Sequence, residues 1–369
     1  LWTGSLASAD NIEVTIGSFE FQSAHKYKIK AWTVDPNESD DCNPYNDTAT
    51  SPFLFTKLCG TYTIGGSDPN FLYISDAVEF LNKAGIICPV VFKIRNGTYI
   101  DMIQIDSIPG SSPINTITFE SESTDSSLVS IVNSVVHEYN STITLTHAQN
   151  IIFKGLGVSN TSNAGNGIVG IHCQNISISH CKIIGMQGSP VYFSGQSSNI
   201  NVNTNLLMGQ AWGFGIGAEN CHDLDIYYNE ILGYKCINLY NCSGHNKIFG
   251  NQISDGTYGI CFENLIDTTK IFNNTLTNIA NGIYGNGSVS ITSNSLFVNT
   301  TGIILNCNNS LIANNYIHLP GTTPVTGIQL TNCSDSKIVF NSINLHNDHL
   351  NSKNLEINGG SNLAINNNI

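Results

Sequence analysis

Two stretches of the sequence, GIILNCNNSLIANNYI (302–317) and GIQLTNCSDSKIVFNSI (327–343), follow the same pattern. Each begins with Gly-Ile, continues to a cysteine and a polar turn, and ends with a short apolar strand, an asparagine and an isoleucine. The pattern recurs upstream at intervals of 20 to 26 residues. The position two residues before each closing apolar residue is occupied by Leu156, Cys181, Asn205, Asn229, Asn251, Asn274, Asn294, Asn315, Asn341 and Asn367.

Repeats of this length indicate a solenoid or a similar array. Apolar and polar residues alternate over short runs such as ISIS (176–179) and INVN (200–203), which is typical of strands and not of helices. Short strands joined by tight polar bends predict a parallel β-helix. In this fold each strand lies about 4.8 Å from its equivalent in the next coil.

The recurring asparagine has a physical reason in such a fold. Asparagine tolerates the left-handed backbone conformation of a bend, and stacked side-chain amides can hydrogen-bond to one another. We therefore predict an asparagine ladder along one bend. The glycine that opens each repeat predicts a second bend with positive φ.

Composition excludes several classes of partner. Charged residues are 11% of the chain, against about a quarter in ordinary globular proteins. The formal net charge is −13 and Arg95 is the only arginine, so neither nucleic acid nor an anionic membrane surface is an expected partner. The sequence contains no run of about 18 apolar residues, so it predicts no transmembrane helix. The chain begins at Leu1 without a recognisable leader, and we expect both ends to be cut from a longer polypeptide.

The repeat resembles those of the pectate-lyase-like and periplasmic copper-site-loading families, over roughly residues 90–369. This resemblance implies an all-β, single-stranded, right-handed parallel β-helix, and it implies no particular activity. Upstream, Ser75 precedes DAVEFLNKAG (76–85), whose apolar face and final Gly85 predict a capping helix. Such a cap protects the exposed terminal strands of a β-helix.

The segment before the helix resembles other modules. KYKIKAWTV (26–34) is similar to the closing strands of bacterial immunoglobulin-like surface modules, and GTYTIGG (60–66) resembles secreted proteins of gliding, polysaccharide-degrading bacteria. The latter resemblance implies a secreted or cell-surface location, where Cys59 and Cys88 would lie close together and form a disulfide. The expected domains are a partial immunoglobulin-like segment (1–58), a linker strand and capping helix (59–89), and a C-terminally truncated β-helix (90–369).

Known catalytic signatures of the fold do not transfer. The only Asp-Asp pair lies outside the repeats, and Arg95 has no basic neighbours. Aligning the coils instead places Glu219, Tyr240 and Glu263 at equivalent outward positions. Asn238, Cys261 and Tyr284 form the neighbouring row. Two coils separate the glutamates, so their carboxylates would stand about 9–10 Å apart, near the upper limit of about 9.5 Å for inverting glycosidases.

These side chains are the predicted site. Glu219 and Glu263 are the candidate catalytic residues, and Trp212, Asn238, Tyr240 and Tyr284 are the candidate sugar-binding residues. The alternative interpretation is an ordinary polar surface of a soluble solenoid.

Metal and cofactor sites are not predicted. Five cysteines fall at or beside one bend of their coils: Cys173, Cys221, Cys242, Cys307 and Cys333. Small thiols pack well in such stacks, so an inward thiol ladder is favoured, while disulfides between adjacent coils remain an alternative with doubtful geometry. Acidic residues between 35 and 47 could bind Ca²⁺, but their spacing matches no EF-hand loop and favours a solvated bend.

Three functional hypotheses follow. The first is a secreted or cell-surface module, part of a larger multidomain protein and monomeric, that binds polysaccharide or a surface glycan along one solenoid face. The second is a glycoside hydrolase or polysaccharide lyase that uses Glu219 and Glu263. The third is a non-catalytic adhesin or stalk, in which the coils supply length.

Overall fold

The computed structural model describes residues 11–15, 17–32, 45, 48–133, 141–210, 213–320, 323–346 and 349–369. These form an all-β, right-handed parallel solenoid of about 12 turns with one short helix near the N-terminus. The fold class predicted from the repeats is confirmed.

One helix and 34 strands make up the described structure. The helix α1 spans Ile74–Ala84. The strands are Lys26–Tyr27 (β1), Lys30–Trp32 (β2), Thr48–Thr50 (β3), Leu54–Phe55 (β4), Leu58–Ile64 (β5), Ile86–Ile94 (β6), Gly97–Ile100 (β7), Ile103–Ile105 (β8), Ile117–Ser121 (β9), Val129–Asn133 (β10), Ser141–Thr146 (β11), Gln149–Lys154 (β12), Gly157–Ile171 (β13), Gln174–Ser179 (β14), Lys182–Gln187 (β15), Val191–Ser194 (β16), Ser198–Asn203 (β17), Leu206–Gly209 (β18), Phe214–Glu219 (β19), His222–Tyr227 (β20), Glu230–Leu232 (β21), Lys235–Tyr240 (β22), Lys247–Phe249 (β23), Gln252–Ser254 (β24), Tyr258–Phe272 (β25), Thr275–Thr292 (β26), Ser295–Asn306 (β27), Leu311–Ala313 (β28), Tyr316–Leu319 (β29), Thr326–Ser334 (β30), Lys337–Val339 (β31), Ser342–Leu345 (β32), Lys353–Ser361 (β33) and Ala364–Asn366 (β34).

Strands β5 to β34 pair in parallel with their equivalents in neighbouring coils, and three sheets run along the solenoid. Sheet one contains β16, β19 and β22, sheet two contains β17, β20 and β23, and sheet three contains β18, β21 and β24. Each coil therefore visits the three sheets in this order. The strand register fixes which side chains stack on one another along the axis.

The core is a set of inward columns of branched aliphatic residues. In sheet two, Ile178, Val202, Ile226 and Ile248 follow one another and are each at most 2% exposed. Adjacent positions on a strand point to opposite sides of the sheet, which explains the alternation in the sequence. The core runs along the whole axis, so the outward rows are left to carry function.

The asparagine ladder is present along the bend between sheets two and three. The Oδ1 of Asn251 accepts hydrogen bonds from the backbone N–H and the Nδ2 of Asn229, both at 3.0 Å. The same arrangement continues through the buried Asn274, Asn294 and Asn315. The predicted ladder is confirmed as far as Asn341.

The last rung of the ladder differs from the expectation. Asn341 donates to the Oδ1 of Asn368 at 2.9 Å, and not to Asn367. Strand β34 aligns Ile365, and not Ala364, with Ile338, which shifts the following asparagine by one residue. The prediction of Asn367 was wrong by one residue.

The reasons expected for the asparagine and the glycine were also wrong in detail. The left-handed residue is the one before each ladder asparagine, such as Tyr228 (φ 54°) or Asn273 (φ 54°). The glycine that opens a repeat is needed for space. A Cβ on Gly302 would lie 2.5 Å from the carbonyl oxygen of Gly327 and 2.6 Å from the side chain of Ile317.

The N-terminal end of the solenoid is closed by α1, as predicted. The helix begins at Ile74, and Tyr73 occupies the cap position expected for Ser75, its N–H donating to Asp76. Gly85 (φ 69°) ends the helix. Cys59 and Cys88 form a disulfide with a Cα–Cα distance of 5.0 Å, which confirms that pairing.

Before this cap, the chain forms a small antiparallel hairpin in which β1 pairs with β4 and β2 pairs with β3. Its immunoglobulin-like origin stays a prediction. The candidate Ca²⁺-binding acids Asp35, Glu38, Asp40, Asp41 and Asp47 lie outside the described residues. In the described part of the chain, the single helix is too short to span a membrane.

Candidate functional site

The predicted rows come together on sheet one. Glu219 aligns with Tyr240, which aligns with Glu263, and Asn238, Cys261 and Tyr284 follow one another in the neighbouring row. The placement expected from the sequence is therefore found. We call this surface the tyrosine face and define it by Tyr192, Glu219, Asn238, Tyr240, Glu263 and Tyr284. Trp212, the remaining predicted residue, lies outside the described residues.

Glu219 has a partner that the alignment of coils did not suggest. The hydroxyl of Tyr192 donates a hydrogen bond to Glu219 Oε2 at 2.7 Å. Tyr192 aligns with Gly217 in the next coil, and a Cβ on Gly217 would lie 2.6 Å from the Tyr192 ring. The missing side chain lets the phenol lie across the coil and reach the carboxylate. Burial, and then the neighbouring Glu219 carboxylate, raise the pKa of Tyr192, so this phenol stays protonated and remains a donor.

The two candidate catalytic carboxylates are separated by a ring. Two strand spacings put Glu219 and Glu263 about 9.6 Å apart, and Tyr240 occupies the position between them. Tyr240 is 36% exposed. A sugar that lay between the carboxylates would therefore meet this phenol.

Further aromatic rings border the face. Tyr258 and Tyr284 have ring centroids 5.8 Å apart at an interplanar angle of 55°, and Tyr284 is 46% exposed. Lys235 Nζ lies 5.8 Å from the centroid of the Tyr258 ring. Tilted rings leave part of each ring face open to solvent. Cys261, by contrast, is buried in its outward row, and burial raises its pKa to about 12, so it offers no charged group.

A second candidate surface lies on sheet two and was missed from the sequence. Two adjoining cavities of about 330 and 500 Å³ share Asn199 and Asn201, and we call them together the polar groove. Its other polar lining side chains include Asn150, Asn175, Asn203, Asp223, Asp225, Tyr227, His245 and Lys247. Asp225 Oδ1 lies 3.4 Å from Lys247 Nζ, one coil away.

Asp223 has a structural role at the edge of this groove. Its backbone is left-handed (φ 56°), and Asn199 occupies the equivalent position in the preceding coil. The backbone N–H of His245 donates to its Oδ1 at 2.9 Å, and the Nδ1 of His222 lies 3.1 Å from Oδ2. Both bonds lower the pKa of Asp223, and the bond from the His245 backbone has the larger effect. The sequence signal for the groove was HDLD (222–225) at a register where neighbouring coils carry asparagine.

The aromatic side chains of sheet two are arranged differently from those of the tyrosine face. Tyr227, Phe249 and Phe272 stack with centroid distances of 4.8 and 4.9 Å and interplanar angles of 4° and 3°. Their faces cover one another, so mainly ring edges point outward. This stack stabilises the coils and is a poor platform for a sugar ring. Of the two surfaces, the tyrosine face is better suited to sugar stacking.

Comparison with known proteins places the chain among β-helix proteins. The family model described as periplasmic copper-binding protein (NosD) matches residues 101–290. A family 28 exopolygalacturonase of Yersinia enterocolitica is 9% identical with a TM-score of 0.53, covering 86% of this chain and 79% of its own. This likeness shows the pectate-lyase-like fold. No curated protein has a significant sequence match.

Two other solved structures are similar to the chain. The A-module of a mannuronan C-5 epimerase from Azotobacter vinelandii is 14% identical with a TM-score of 0.44, covering 80% of this chain and 94% of its own. An alginate lyase from a Paenibacillus species is 11% identical with a TM-score of 0.43, covering 82% of this chain and 99% of its own.

The side chains of the chain can be tested against the copper in the family description. Copper sites in proteins are built from several closely placed Cys, Met or His ligands. Within the described ranges, no three or more His, Cys, Asp or Glu side chains are grouped so that they could hold a metal ion. The eight free cysteines there are all buried. The described His, Cys, Asp and Glu side chains therefore do not form a copper site with three or more of these ligands.

Proposed function

The chain belongs to the family described as periplasmic copper-binding protein (NosD), and we propose that it binds an extended polysaccharide along its tyrosine face. It would act as a secreted or cell-surface module of a larger multidomain protein. The fold alone does not select this ligand, so the proposal rests on side chains.

The observation that carries the proposal is the combination of exposed phenol rings and hydrogen-bonding groups in two adjacent rows. Tyr240 and Tyr284 are both at least 36% exposed, and Glu219, Asn238 and Glu263 lie beside them at the same register. Sugars have an apolar face and a rim of hydroxyls, so they need both kinds of contact. An extended glycan along the axis would meet a new rung about every 4.8 Å.

Charge restricts the class of glycan. The chain carries a net charge of −13, and both acidic side chains of the face point outward. A polysaccharide rich in carboxylates or sulfates would be repelled. We therefore propose a neutral polysaccharide as the ligand.

The test is a binding measurement on a panel of neutral polysaccharides by affinity electrophoresis, followed by calorimetry. Tyr240→Ala and Tyr284→Ala should each weaken binding about fivefold, since an aromatic contact contributes about 1 kcal/mol. Tyr316→Ala is the matched control, because Tyr316 is similarly exposed (38%) but lies on sheet three. Equal losses in the three variants would contradict the proposal. If Asp225→Asn were the only variant to lose binding, the ligand would lie in the polar groove. If none of the polysaccharides bound to the protein, the stalk hypothesis would be favoured.

Hydrolysis or lysis by Glu219 and Glu263 is the second candidate. Their separation of about 9.6 Å lies at the upper limit for inverting glycosidases, while the interposed Tyr240 argues against it. Release of reducing ends, or absorbance from a new double bond, would be lost in Glu219→Gln if this candidate were right. We expect neither signal from the unmodified protein.

A further inference from the structure

Two cysteines outside the tyrosine face are in direct contact. Cys307 follows β27 and Cys333 lies in β30, one coil further on. Their sulfur atoms are 2.9 Å apart, and the backbone N–H of Cys307 points at the sulfur of Cys333 at 3.1 Å. Both side chains are at most 1% exposed. Two thiols this close need only a small side-chain rotation to form a bond.

We propose that Cys307 and Cys333 form a disulfide that cross-links two adjacent coils. The next residues, Asn308 and Ser334, pair in parallel, so the two cysteines are at equivalent positions of neighbouring coils. Strand spacing puts their Cα atoms about 4.8 Å apart, within the range of about 4.4–6.8 Å that disulfides span. The backbone therefore does not have to move for the bond to close.

A second pair of cysteines on adjacent coils provides a contrast. The thiol of Cys221 donates to the carbonyl of Glu219 at 3.3 Å, and that of Cys242 to the carbonyl of Ala218 at 3.5 Å. Burial raises the pKa of Cys221 to about 12 and also raises that of Cys242. Cys333 makes a similar bond, to the carbonyl of Leu305 at 3.4 Å, so the distinguishing feature of Cys307 and Cys333 is their direct sulfur–sulfur contact. We expect the Cys221–Cys242 pair to stay reduced.

The bond would form by thiol–disulfide exchange with an external oxidant. In the folded coils the hydrogen bond between the two thiols lowers the pKa of Cys307 and raises that of Cys333. The thiolate of Cys307 attacks one sulfur of a disulfide oxidant and forms a mixed disulfide, releasing one thiol. Cys333 then loses its proton and attacks Cys307 Sγ, which releases the second thiol. Two protein thiols and one external disulfide thus give one protein disulfide and two external thiols.

The burial of the two sulfur atoms determines when the bond can form. Because both sulfurs are inaccessible in the folded coils, the oxidant can reach them only while these coils are still open. The same compartment must supply the oxidant that forms Cys59–Cys88. That disulfide ties the first coil, and the proposed bond would tie a late one. Each repeat of a solenoid contacts only its neighbours, so a covalent link between two adjacent coils opposes their separation.

The experiment uses the full chain produced in a bacterial periplasm. The protein is unfolded without reductant in iodoacetamide, digested and analysed by mass spectrometry. The Cys59–Cys88 peptide pair serves as the internal control that the compartment was oxidising. We expect a Cys307–Cys333 peptide pair 2 Da lighter than the two thiol peptides, with Cys221 and Cys242 alkylated. Alkylated Cys307 and Cys333 in protein whose Cys59–Cys88 bond has formed would overturn the proposal, as would pairing of either with another cysteine.

A stability measurement separates the bond from mere packing. Under oxidising conditions the double variant Cys307→Ser/Cys333→Ser should melt about 4 °C below the unmodified protein. Each variant is compared with the unmodified protein under the same redox condition. The loss of stability in Cys307→Ser/Cys333→Ser should shrink when reductant is present, because the unmodified protein then lacks the bond. The loss in the matched variant Cys221→Ser/Cys242→Ser should be the same with and without reductant. A loss at Cys307 and Cys333 that is independent of reductant would contradict the cross-link.

Discussion

Replacing Asn251 with alanine tests the ladder that holds the coils in register. Its Oδ1 accepts two hydrogen bonds from Asn229, and its Nδ2 donates to the carbonyl of Ile226 and to Asn274 Oδ1. The substitution leaves two N–H groups of Asn229 without this acceptor in a site that is 1% exposed. An orphaned buried donor costs about 2 kcal/mol and a weakened acceptor less. We expect the free energy of unfolding to fall by about 5 kcal/mol.

Asn205 provides a matched control at the start of the same column. Its Nδ2 also donates to a carbonyl, that of Ile178, and to the next asparagine, Asn229. Its Oδ1, however, accepts only the backbone N–H of Cys181, because a thiol replaces the amide there. Asn205→Ala therefore orphans one donor where Asn251→Ala orphans two. The expected loss is about 3 kcal/mol, a difference of about 2 kcal/mol from one N–H group.

Equilibrium unfolding in guanidinium chloride measures both losses, and the comparison of midpoints at equal slope isolates the change in stability. Both variants lose the same side-chain atoms from the same buried column, so transfer and cavity contributions cancel in the difference. Equal destabilisation, within about 0.5 kcal/mol, would refute the argument from orphaned donors. It would show that the ladder acts through packing alone.

Gly302→Ala should lower the free energy of unfolding by about 1–3 kcal/mol because its Cβ would overlap a carbonyl oxygen of the next coil. Gly233→Ala, whose Cβ would lie 3.0 Å from the backbone nitrogen of Gly215 and 3.4 Å from the carbonyl oxygen of Gly213, should lose less in the same denaturant assay. Phe340→Asn should raise stability by about 1 kcal/mol, since a mostly exposed phenylalanine with φ 60° is strained where asparagine is not; a lower melting temperature would contradict this. Asp223→Asn should reduce the acid sensitivity of unfolding. A carboxyl whose pKa is lowered by folding contributes stability above its unfolded pKa of about 3.9 and loses it as the pH falls through the folded value. Unchanged stability loss between pH 5 and pH 2, followed by circular dichroism, would be evidence against the bonds from His245 and His222.

The column of asparagines could be predicted because the inward residues determine the register of every coil. A slip of one residue would turn Ile226 or Ile248 toward solvent. The last coil offers a weaker choice, since AINNNI contains three adjacent asparagines and two isoleucines. There the structure aligns Ile365, and not Ala364, with Ile338. Prediction from the pattern therefore failed where the sequence itself was degenerate.

The outward rows of the tyrosine face follow from the same register, but the contacts between rows do not. The register aligns Tyr192 with Gly217 and says nothing of Glu219. The phenol reaches the carboxylate because Gly217 leaves the space beneath the ring empty. The polar groove was missed for a related reason, since its depth depends on side chains from coils as far apart as Asn150 and Lys247. Periodicity gives positions along an axis, whereas a site also depends on which side chains are absent.

The absence of a side chain at Gly217 leads to a prediction about the proposed site. If the Tyr192–Glu219 bond positions the carboxylate for a hydroxyl of the glycan, Gly217→Ala should displace the ring, free Glu219 and weaken binding. Tyr192→Phe should weaken binding to a similar degree, because it removes the donor and keeps the ring. Calorimetry of both variants against the retained polysaccharide measures this. Binding unchanged in Tyr192→Phe but lost in Gly217→Ala would show that the ring itself makes the contact and that the hydrogen bond is incidental.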